Sequence, residues 1–228
     1  MPASKLPPAS HRRYLALLAA CYLPLAVALG IAPYERETWV LEHVMVVASL
    51  LLLLFTYRAF PLSRVSYTLF FIFLCFHELG AHYTYSLVPY DDWFTTLTGR
   101  SLNSLFGFER NHYDRVIHFL YGLFLAWPYR EAFLHAIRGN PPPFWSYLLP
   151  LTFTITTSLL YEFVEWVAVL VFGGDLGIAF LGTQGDEWDT HHDILCAVLG
   201  ALLATLVMIA IHICTRRDFP AEWAHKHS

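Results

Sequence analysis

The sequence predicts an all-α fold: a polytopic membrane bundle of six transmembrane helices, with both termini in the cytoplasm. Its 228 residues are 57% hydrophobic and 17% aromatic but only 14% charged, whereas soluble domains carry about 25% charged residues. A soluble fold would need a larger charged surface, so the apolar surplus predicts a chain surrounded by membrane lipids. The formal net charge of −4 lacks the basic excess of nucleic-acid binders, so no nucleic-acid partner is expected.

Six apolar runs are long enough to cross a bilayer, which takes about 20 helical residues. The runs cover residues 14–33, 38–57, 65–85, 115–137, 146–172 and 193–214. Glycine, proline and basic residues separate them, as in Arg58-Ala-Phe-Pro61, and such residues are typical of loops. We therefore expect a cytoplasmic tail over 1–13, a transmembrane domain over 14–214 and a cytoplasmic tail over 215–228.

The first run has a second interpretation, as a cleaved signal peptide. Lys5, Arg12 and Arg13 precede it, and Ala28-Leu29-Gly30 resembles a small-residue cleavage site. The apolar stretch is longer than that of a usual signal peptide, which favours a retained helix.

The orientation follows from the basic residues, which are retained in short cytoplasmic loops. With the N-terminus inside, ten of the 14 Lys and Arg residues lie on the inner side. The four on the outer side are Arg36, Arg100, Arg110 and Arg115. This distribution predicts a multi-pass protein of the cell inner membrane with loops 34–37, 86–114 and 173–192 outside.

The outer loop 86–113 carries apolar residues at nearly helical intervals. Phe94, Leu97, Leu102, Leu105 and Phe106 recur in this way. A short helix lying in the outer interface and an irregular packed loop both remain open.

Charged and polar residues within the spans gather toward the outer face. Ionisable groups at membrane depth are expensive, so each of them is a candidate for function. Five elements contribute. The second run has Glu42 and His43; the third has His77, Glu78 and His82; the fourth and its start have Asn111, Asp114, Arg115 and His118. The fifth has Ser158, Glu162 and Glu165, and the sixth with the loop before it has Gln184, Trp188, Asp189 and Asp193. Glu78 and His82, Asp114 and His118, and Asp189 and Asp193 are each four residues apart, so each pair shares one helix face.

Acids and histidines from facing helices are typical of a metal site in a bundle. They would suit a divalent ion such as Zn²⁺, Mn²⁺ or Mg²⁺. The same residues could relay protons or hold the helices together by hydrogen bonds. All three interpretations stay open at this point.

Four motifs in order resemble the YjdF-type family of bacterial inner-membrane proteins. They are His77-Glu78-x-Gly80-x-His82-Tyr83-x-Tyr85, Asn111-x-Tyr113-Asp114-Arg115-x-x-His118-Phe119, Tyr161-Glu162-x-x-Glu165-Trp166 and Gly182-Thr-Gln184-Gly185-Asp186-x-Trp188-Asp189-x-x-x-Asp193. The resemblance covers most of the chain and implies a helical membrane protein, while assigning no reaction.

The same segments also resemble the wider VanZ-like superfamily. Asp114-Arg115-x-x-His118, Ser158-x-x-x-Glu162-x-x-Glu165 and the segment from Asp193 to Gly200 match its pattern. Glu165 and Ala197 stand where that superfamily tends to have Gln and Asn. The extra acid favours cation binding or acid–base chemistry, and the resemblance implies a role at the cell envelope.

We interpret the outer cluster first as the site of a metal-assisted hydrolase or transferase acting on a lipid-linked envelope substrate. The expected catalytic residues are Glu162, Glu165, Asp114 and His118. The expected substrate-binding residues are Arg115, Asn111, Gln184 and Trp188, with Arg115 holding an anionic headgroup. The expected ligands of the divalent metal ion are Glu78, His82, Asp189 and Asp193, joined by Asp114 and His118.

Two alternatives are a proton- or cation-coupled transporter or flippase, and a structural membrane protein with a polar interhelical cluster. A continuous polar path to the cytoplasm would favour transport, whereas an apolar floor beneath the cluster would count against it.

Overall fold

The computed structural model describes residues 7–137, 141–174 and 183–227. Within these ranges every regular element is an α-helix, which confirms the predicted all-α class. The nine helices described are α1 (Ala9–Gly30), α2 (Arg36–Thr56), α3 (Arg64–His82), α4 (Tyr90–Thr98), α5 (Leu102–Phe106), α6 (Tyr113–Ile137), α7 (Pro143–Phe172), α8 (Asp189–Thr215) and α9 (Phe219–His227). Lys5, Arg138 and Gly182, which entered the sequence arguments, lie outside the described residues.

The six long helices coincide with the six predicted runs, and their ends differ from the predicted ones by up to five residues. Five of them, α1, α2, α3, α7 and α8, are long and apolar enough to cross a membrane. Helix α6 has 25 residues and is therefore about 38 Å long, but it does not have that apolar character.

Helix α6 is more polar because it is the centre of the bundle. It packs against α3, α7, α8 and α9, and it buries Arg130, Glu131 and His135 as well as apolar residues. A helix enclosed by protein does not have to present an apolar surface to lipid. Helices α1 and α2, at the periphery of the bundle, pack on α3 and leave apolar side chains such as Leu54 and Phe55 exposed.

Helices α6 and α8 cross at a very short distance, and two glycines make this possible. A Cβ atom on Gly122 would lie 2.0 Å from the backbone oxygen of Ala197. A Cβ atom on Gly200 would lie 2.0 Å from the backbone oxygen of Phe119. This close crossing brings the outer ends of the two helices together at the candidate site.

The outer loop contains two short helices, α4 and α5, in agreement with its helical interpretation. The Asp91 carboxylate accepts hydrogen bonds from the Ser101 hydroxyl and the Asn103 backbone N–H, both at 2.9 Å. The Tyr90 hydroxyl donates to Asn103 at 2.8 Å and accepts from the His112 N–H at 3.0 Å. These bonds attach the short helices to the start of α6.

The C-terminal segment, which the sequence indicates only as a tail, forms α9 and packs on α6. The indole N–H of Trp223 donates to the backbone oxygen of Pro61 at 2.7 Å. The same indole stacks on the His11 ring, with centroids 5.4 Å apart. The C-terminus is thereby fixed to both α1 and the segment before α3.

Candidate functional site

The N-terminal ends of α6 and α8 form an acid–histidine cluster, which we define as Asp114, His118 and Asp193. One ligand atom from each residue lies within 4.8 Å of the other two. The i,i+4 spacing of Asp114 and His118 places both on one face of α6, with His118 Nε2 3.7 Å from Asp114 Oδ1. His118 and Asp193 are buried.

Helix α7 adds a second row of polar side chains beside this cluster. Ser158, Glu162 and Glu165 are buried on one face of the helix. Glu162 Oε1 is 3.6 Å from His118 Nε2, and Glu165 lies next to Glu162. Four carboxyl groups therefore share a small volume, where their mutual repulsion favours a bound cation or proton.

Three oxygens of this region are buried without a hydrogen-bond partner in the described part of the chain. They are Ser158 Oγ, Glu162 Oε1 and Asp193 Oδ1. A buried polar atom left unpaired costs about 1–3 kcal/mol. The three oxygens thus indicate a place for a further group, such as a cation and its water.

A ring of alternating charges lies beside the cluster, and we call it the mouth: Arg110, Arg115, Asp186 and Asp189. Arg110 donates to Asp189 Oδ1 at 2.6 Å and lies 3.7 Å from Asp186. Arg115 donates to Asp186 and lies 3.7 Å from Asp189.

Two histidines flank the mouth. His112 Nδ1 is 3.2 Å from Arg115 Nη1, and His192 Nδ1 is 2.9 Å from Asp186. The Trp188 backbone N–H, then His192 and Arg115, keep the pKa of Asp186 below its ordinary value. Asp186 is therefore an anion at neutral pH. A depression of about 370 Å³, lined by residues of the segment 183–190, opens beside Asp186 and Asp189.

The expected substrate-binding residues other than Arg115 are not part of the mouth. Asn111 and Gln184 exchange two hydrogen bonds of 3.0 Å, each from an N–H of one to an oxygen of the other. Asn111 also donates to the backbone oxygen of Val88 at 2.8 Å. Trp188 is largely exposed. Asn111 and Gln184 thus join the loop before α6 to the loop before α8.

Only some of the expected metal ligands lie together: Asp114, His118 and Asp193 do, whereas Glu78, His82 and Asp189 lie elsewhere. Glu78 accepts hydrogen bonds from Tyr22 and, at 3.1 Å, from His43. His82 Nδ1 is 2.7 Å from the backbone oxygen of Leu29. Both residues therefore belong to the contacts of α3 with α1 and α2. Asp189 belongs to the mouth, and Asp193 belongs to the acid–histidine cluster.

Two residues near the site have no place among the expected catalytic, substrate-binding and metal-binding residues, although Glu42 was a candidate member of the polar cluster. Glu42 is buried and accepts a 2.9 Å hydrogen bond from the hydroxyl of Tyr161, next to Glu162 in sequence. The position of Glu42 within the second apolar run predicts that it is buried, but nothing in the sequence spacing indicates that its partner lies on α7. Arg110 lies in the loop before α6, outside any helical stripe, so the sequence carries no signal that it would pair with Asp189.

Comparison with known proteins places the chain in a family. The sequence profile of the family described as "Predicted membrane protein (DUF2238)" matches residues 14–213. The chain belongs to this family. The matched DUF2238 region contains most of α1, all of α2 to α7 and most of α8, and therefore both the acid–histidine cluster and the mouth.

One curated relative extends this result. The DUF2238 chain is 34% identical over 190 residues to the inner membrane protein YjdF of Escherichia coli strain K12, covering 83% of this chain and 86% of YjdF. This confirms the resemblance to YjdF-type proteins, and the chain is an integral inner-membrane protein. No solved structure matches it.

Proposed function

We propose that this protein is an envelope enzyme that uses a divalent cation to hydrolyse or transfer a lipid-linked substrate at the outer membrane face. The observation that carries the proposal is the acid–histidine cluster, whose three ligand atoms lie within 4.8 Å of one another. The unpartnered Oδ1 of Asp193 supports it, because a buried carboxylate oxygen without a donor is well suited to a cation.

The donor set favours a borderline or hard divalent ion. Two carboxylates and one imidazole suit Mn²⁺, Mg²⁺ and Zn²⁺. Three protein ligands leave coordination positions for water and substrate, as catalytic sites require. Glu78, His82 and Asp189, expected earlier as ligands, have other hydrogen-bond partners, so the proposal assigns them supporting roles.

Glu162 is the proposed general base. Its Oε1 has no hydrogen-bond partner within the described residues and lies 3.6 Å from His118, so it is available to accept a proton from a water beside the cation. Glu165 would retain that proton or pass it on. Arg115, at the mouth, would hold an anionic headgroup.

The outer location rests on a proposed topology of six spans with both termini inside. The basic residues support this topology because most of them would lie on the inner side. The length of α6 is sufficient for it to cross the bilayer while surrounded by the neighbouring helices. A role at the envelope, as in the VanZ-like superfamily, belongs to this proposal.

Transport is the second candidate, and a group of hydroxyls favours it. The Tyr121 hydroxyl is 2.5 Å from Thr157 and 2.9 Å from the Tyr129 hydroxyl, on the membrane side of the cluster. Beneath the site, however, buried Ala126, Ala201, Ala204 and Met208 form an apolar cluster between α6 and α8. That apolar floor makes catalysis the better supported function.

Cation binding is tested on the purified protein in nanodiscs by Mn²⁺ titration, with the free ion followed by electron paramagnetic resonance. We expect one bound Mn²⁺ per chain, and affinity reduced at least about tenfold in Asp193→Asn and His118→Gln. Asp92→Asn, at an exposed acid of α4, is the control and should bind normally. Folded wild-type protein that leaves all Mn²⁺ free would refute the proposal.

Catalysis is tested by incubating the Mn²⁺-loaded protein with a total envelope lipid extract and following lipid-linked species by mass spectrometry. We expect a species consumed by the wild type and untouched by Glu162→Gln, which should still bind Mn²⁺. Proton uptake into proteoliposomes without any lipid conversion would instead establish the transporter. Loss of stability in every cluster variant, with neither activity in the wild type, would leave a structural role.

A further inference from the structure

The mouth contains more cationic hydrogen-bond donors than its acids use. Arg110 and Arg115 each carry a guanidinium with five N–H donors. The Nε atoms of both side chains are buried without a hydrogen-bond partner in the part of the chain that the structure describes. Two adjacent cations with unused buried donors are suited to bind an oxyanion.

The two acids of the mouth differ in how firmly the fold holds them. Asp189 is the first residue of α8, and its side chain is 5% exposed. Asp186 lies in the loop before α8, and its side chain is 18% exposed. Asp186 is consequently the carboxylate that can leave the arginines with the smaller disturbance of the helices.

We propose that Arg110 and Arg115 bind the phosphate of a phosphate-ester substrate, and that the Asp186 carboxylate occupies this position in the unliganded protein. The inference rests on the proposed function, for which it supplies the substrate class. A single guanidinium can satisfy a carboxylate, and of the two arginines only Arg110 donates a hydrogen bond to Asp189. Two guanidinium groups beside a divalent cation match a tetrahedral group with several oxygens and more than one negative charge.

The placement of the mouth fits this assignment. Arg115 follows Asp114 in sequence, and Asp189 is one helical turn, about 6 Å, before Asp193 on α8. A phosphate held at the mouth would therefore face the acid–histidine cluster, where its remaining oxygens could reach the cation. The adjoining depression of about 370 Å³ provides room for the group esterified to it.

The short helices favour a lipid as the source of the phosphate. Leu97 of α4 is 85% exposed and Phe106 of α5 is 66% exposed, and Trp93 is also exposed. Apolar and aromatic side chains in this arrangement are typical of segments that lie in the headgroup region. The hydrogen bonds through Tyr90 connect these helices to His112, next to the mouth.

The inference is tested by calorimetric titration of the protein in phosphatidylcholine nanodiscs, with and without Mn²⁺. The probes are dioctanoyl phosphatidic acid, which carries a phosphomonoester, inorganic phosphate, and dioctanoyl phosphatidylcholine as the control lipid. We expect phosphatidic acid to bind more tightly than phosphate, and the control lipid not to bind.

Three variants test the separate roles of Arg115 and Asp186 in phosphate binding. Arg115→Gln should weaken phosphatidic acid binding at least about tenfold, and Arg115→Lys should weaken it less, because the charge remains while the planar fork is lost. Asp186→Asn should tighten binding severalfold, because the competing anion is removed. A gain of affinity cannot result from misfolding, and Mn²⁺ should still bind to all three.

The outcomes distinguish this inference from the function on which it rests. Bound Mn²⁺ with no binding of either phosphate probe would overturn the phosphate site and leave the cation site intact. Arginine-dependent phosphatidic acid binding without any Mn²⁺ binding would refute the metal-dependent function and retain the phosphate site. Equal affinity for inorganic phosphate would overturn the lipid source, and weaker binding by Asp186→Asn would overturn the role of Asp186.

Discussion

Adjacent buried residues of opposite charge, Arg130 and Glu131, lie near the inner end of α6, and different elements stabilise them. Arg130 donates to Asp218 at 2.6 and 2.7 Å and to Ser146 at 3.1 Å. Its guanidinium also lies 4.0 Å from the centre of the Tyr147 ring. Glu131 accepts hydrogen bonds from the Ser66 hydroxyl at 2.7 Å and from the backbone N–H of Ser63, at the start of α3, where the helix dipole favours an anion.

We expect Arg130→Gln to lower the free energy of unfolding by about 1–3 kcal/mol, less than for a fully buried pair because Asp218 is partly exposed. The loss should also release α9, because Asp218 directly precedes it. Reversible SDS unfolding and limited proteolysis measure the two effects. Arg217→Gln, which removes the exposed pair with Glu222, is the matched control and should change neither. Equal behaviour of the two variants would contradict the prediction.

At the scale of single residues, the sequence predicted which polar side chains share a helix face but not their partners on other helices. The spacing of Asp114 and His118 indicated a shared face, and the two side chains do share it. Spacing carries no information on pairs such as His43 with Glu78, because these depend on how α2 and α3 are oriented. Arg110 was missed for the same reason.

At the scale of elements, the α6–α8 crossing determines the geometry of the site. Gly122 and Gly200 each lie against the backbone of the opposite helix. Small residues at such a contact allow close packing, which stabilises helix pairs in membranes where the hydrophobic effect contributes little. The buried Ala197 and Ala201 continue the same surface.

We expect Gly200→Ala to destabilise the protein by about 1–3 kcal/mol, since the new methyl group would meet a backbone that cannot move away without separating the helices. Thermal unfolding in detergent measures the loss, and Mn²⁺ affinity should fall with it as Asp193 moves away from Asp114. Ala210→Val adds bulk to an exposed position of the same helix and should be tolerated. An unchanged melting temperature for Gly200→Ala would mean that the helices are farther apart than described.

The sequence predicted the helices that are defined by the length of an apolar run, but not the helix that forms only by packing on the rest of the molecule. The runs gave all six long helices, because each needs about 20 residues to cross hydrocarbon. Helix α9 was missed because it has only nine residues, four of them polar or charged, and it forms by packing on α6. The polarity of α6 likewise reflects its central position, which no single run reveals.

For the whole molecule, the polar residues are divided between two ends. The outer end holds the acid–histidine cluster and the mouth, whereas the inner end holds the Arg130 and Glu131 contacts and α9. Between them, α6 and α8 bury an apolar cluster. This division suits the proposed catalytic site, which would open to one side, and it is the reason that the orientation in the membrane matters for that proposal.

We expect the α4–α5 side to face outward and the C-terminus to face the cytoplasm. In a chain whose four cysteines are replaced by alanine, Thr96→Cys should react with a membrane-impermeant maleimide applied outside the inner membrane. Lys226→Cys should react only after that membrane is disrupted. The reverse pattern would refute the topology and move the proposed site to the cytoplasmic face.

The sequence by itself determined the class of protein, the long helices and the depth of the polar residues, because apolar length and the cost of buried charge are local properties of a chain. Tertiary structure alone decided which polar residues meet. The glycine crossing joins Asp114 and His118 to Asp193, while Glu78 and His82 contact α1 and α2 instead. Those choices depend on the rotation and separation of helices, which are set by packing between residues far apart in sequence.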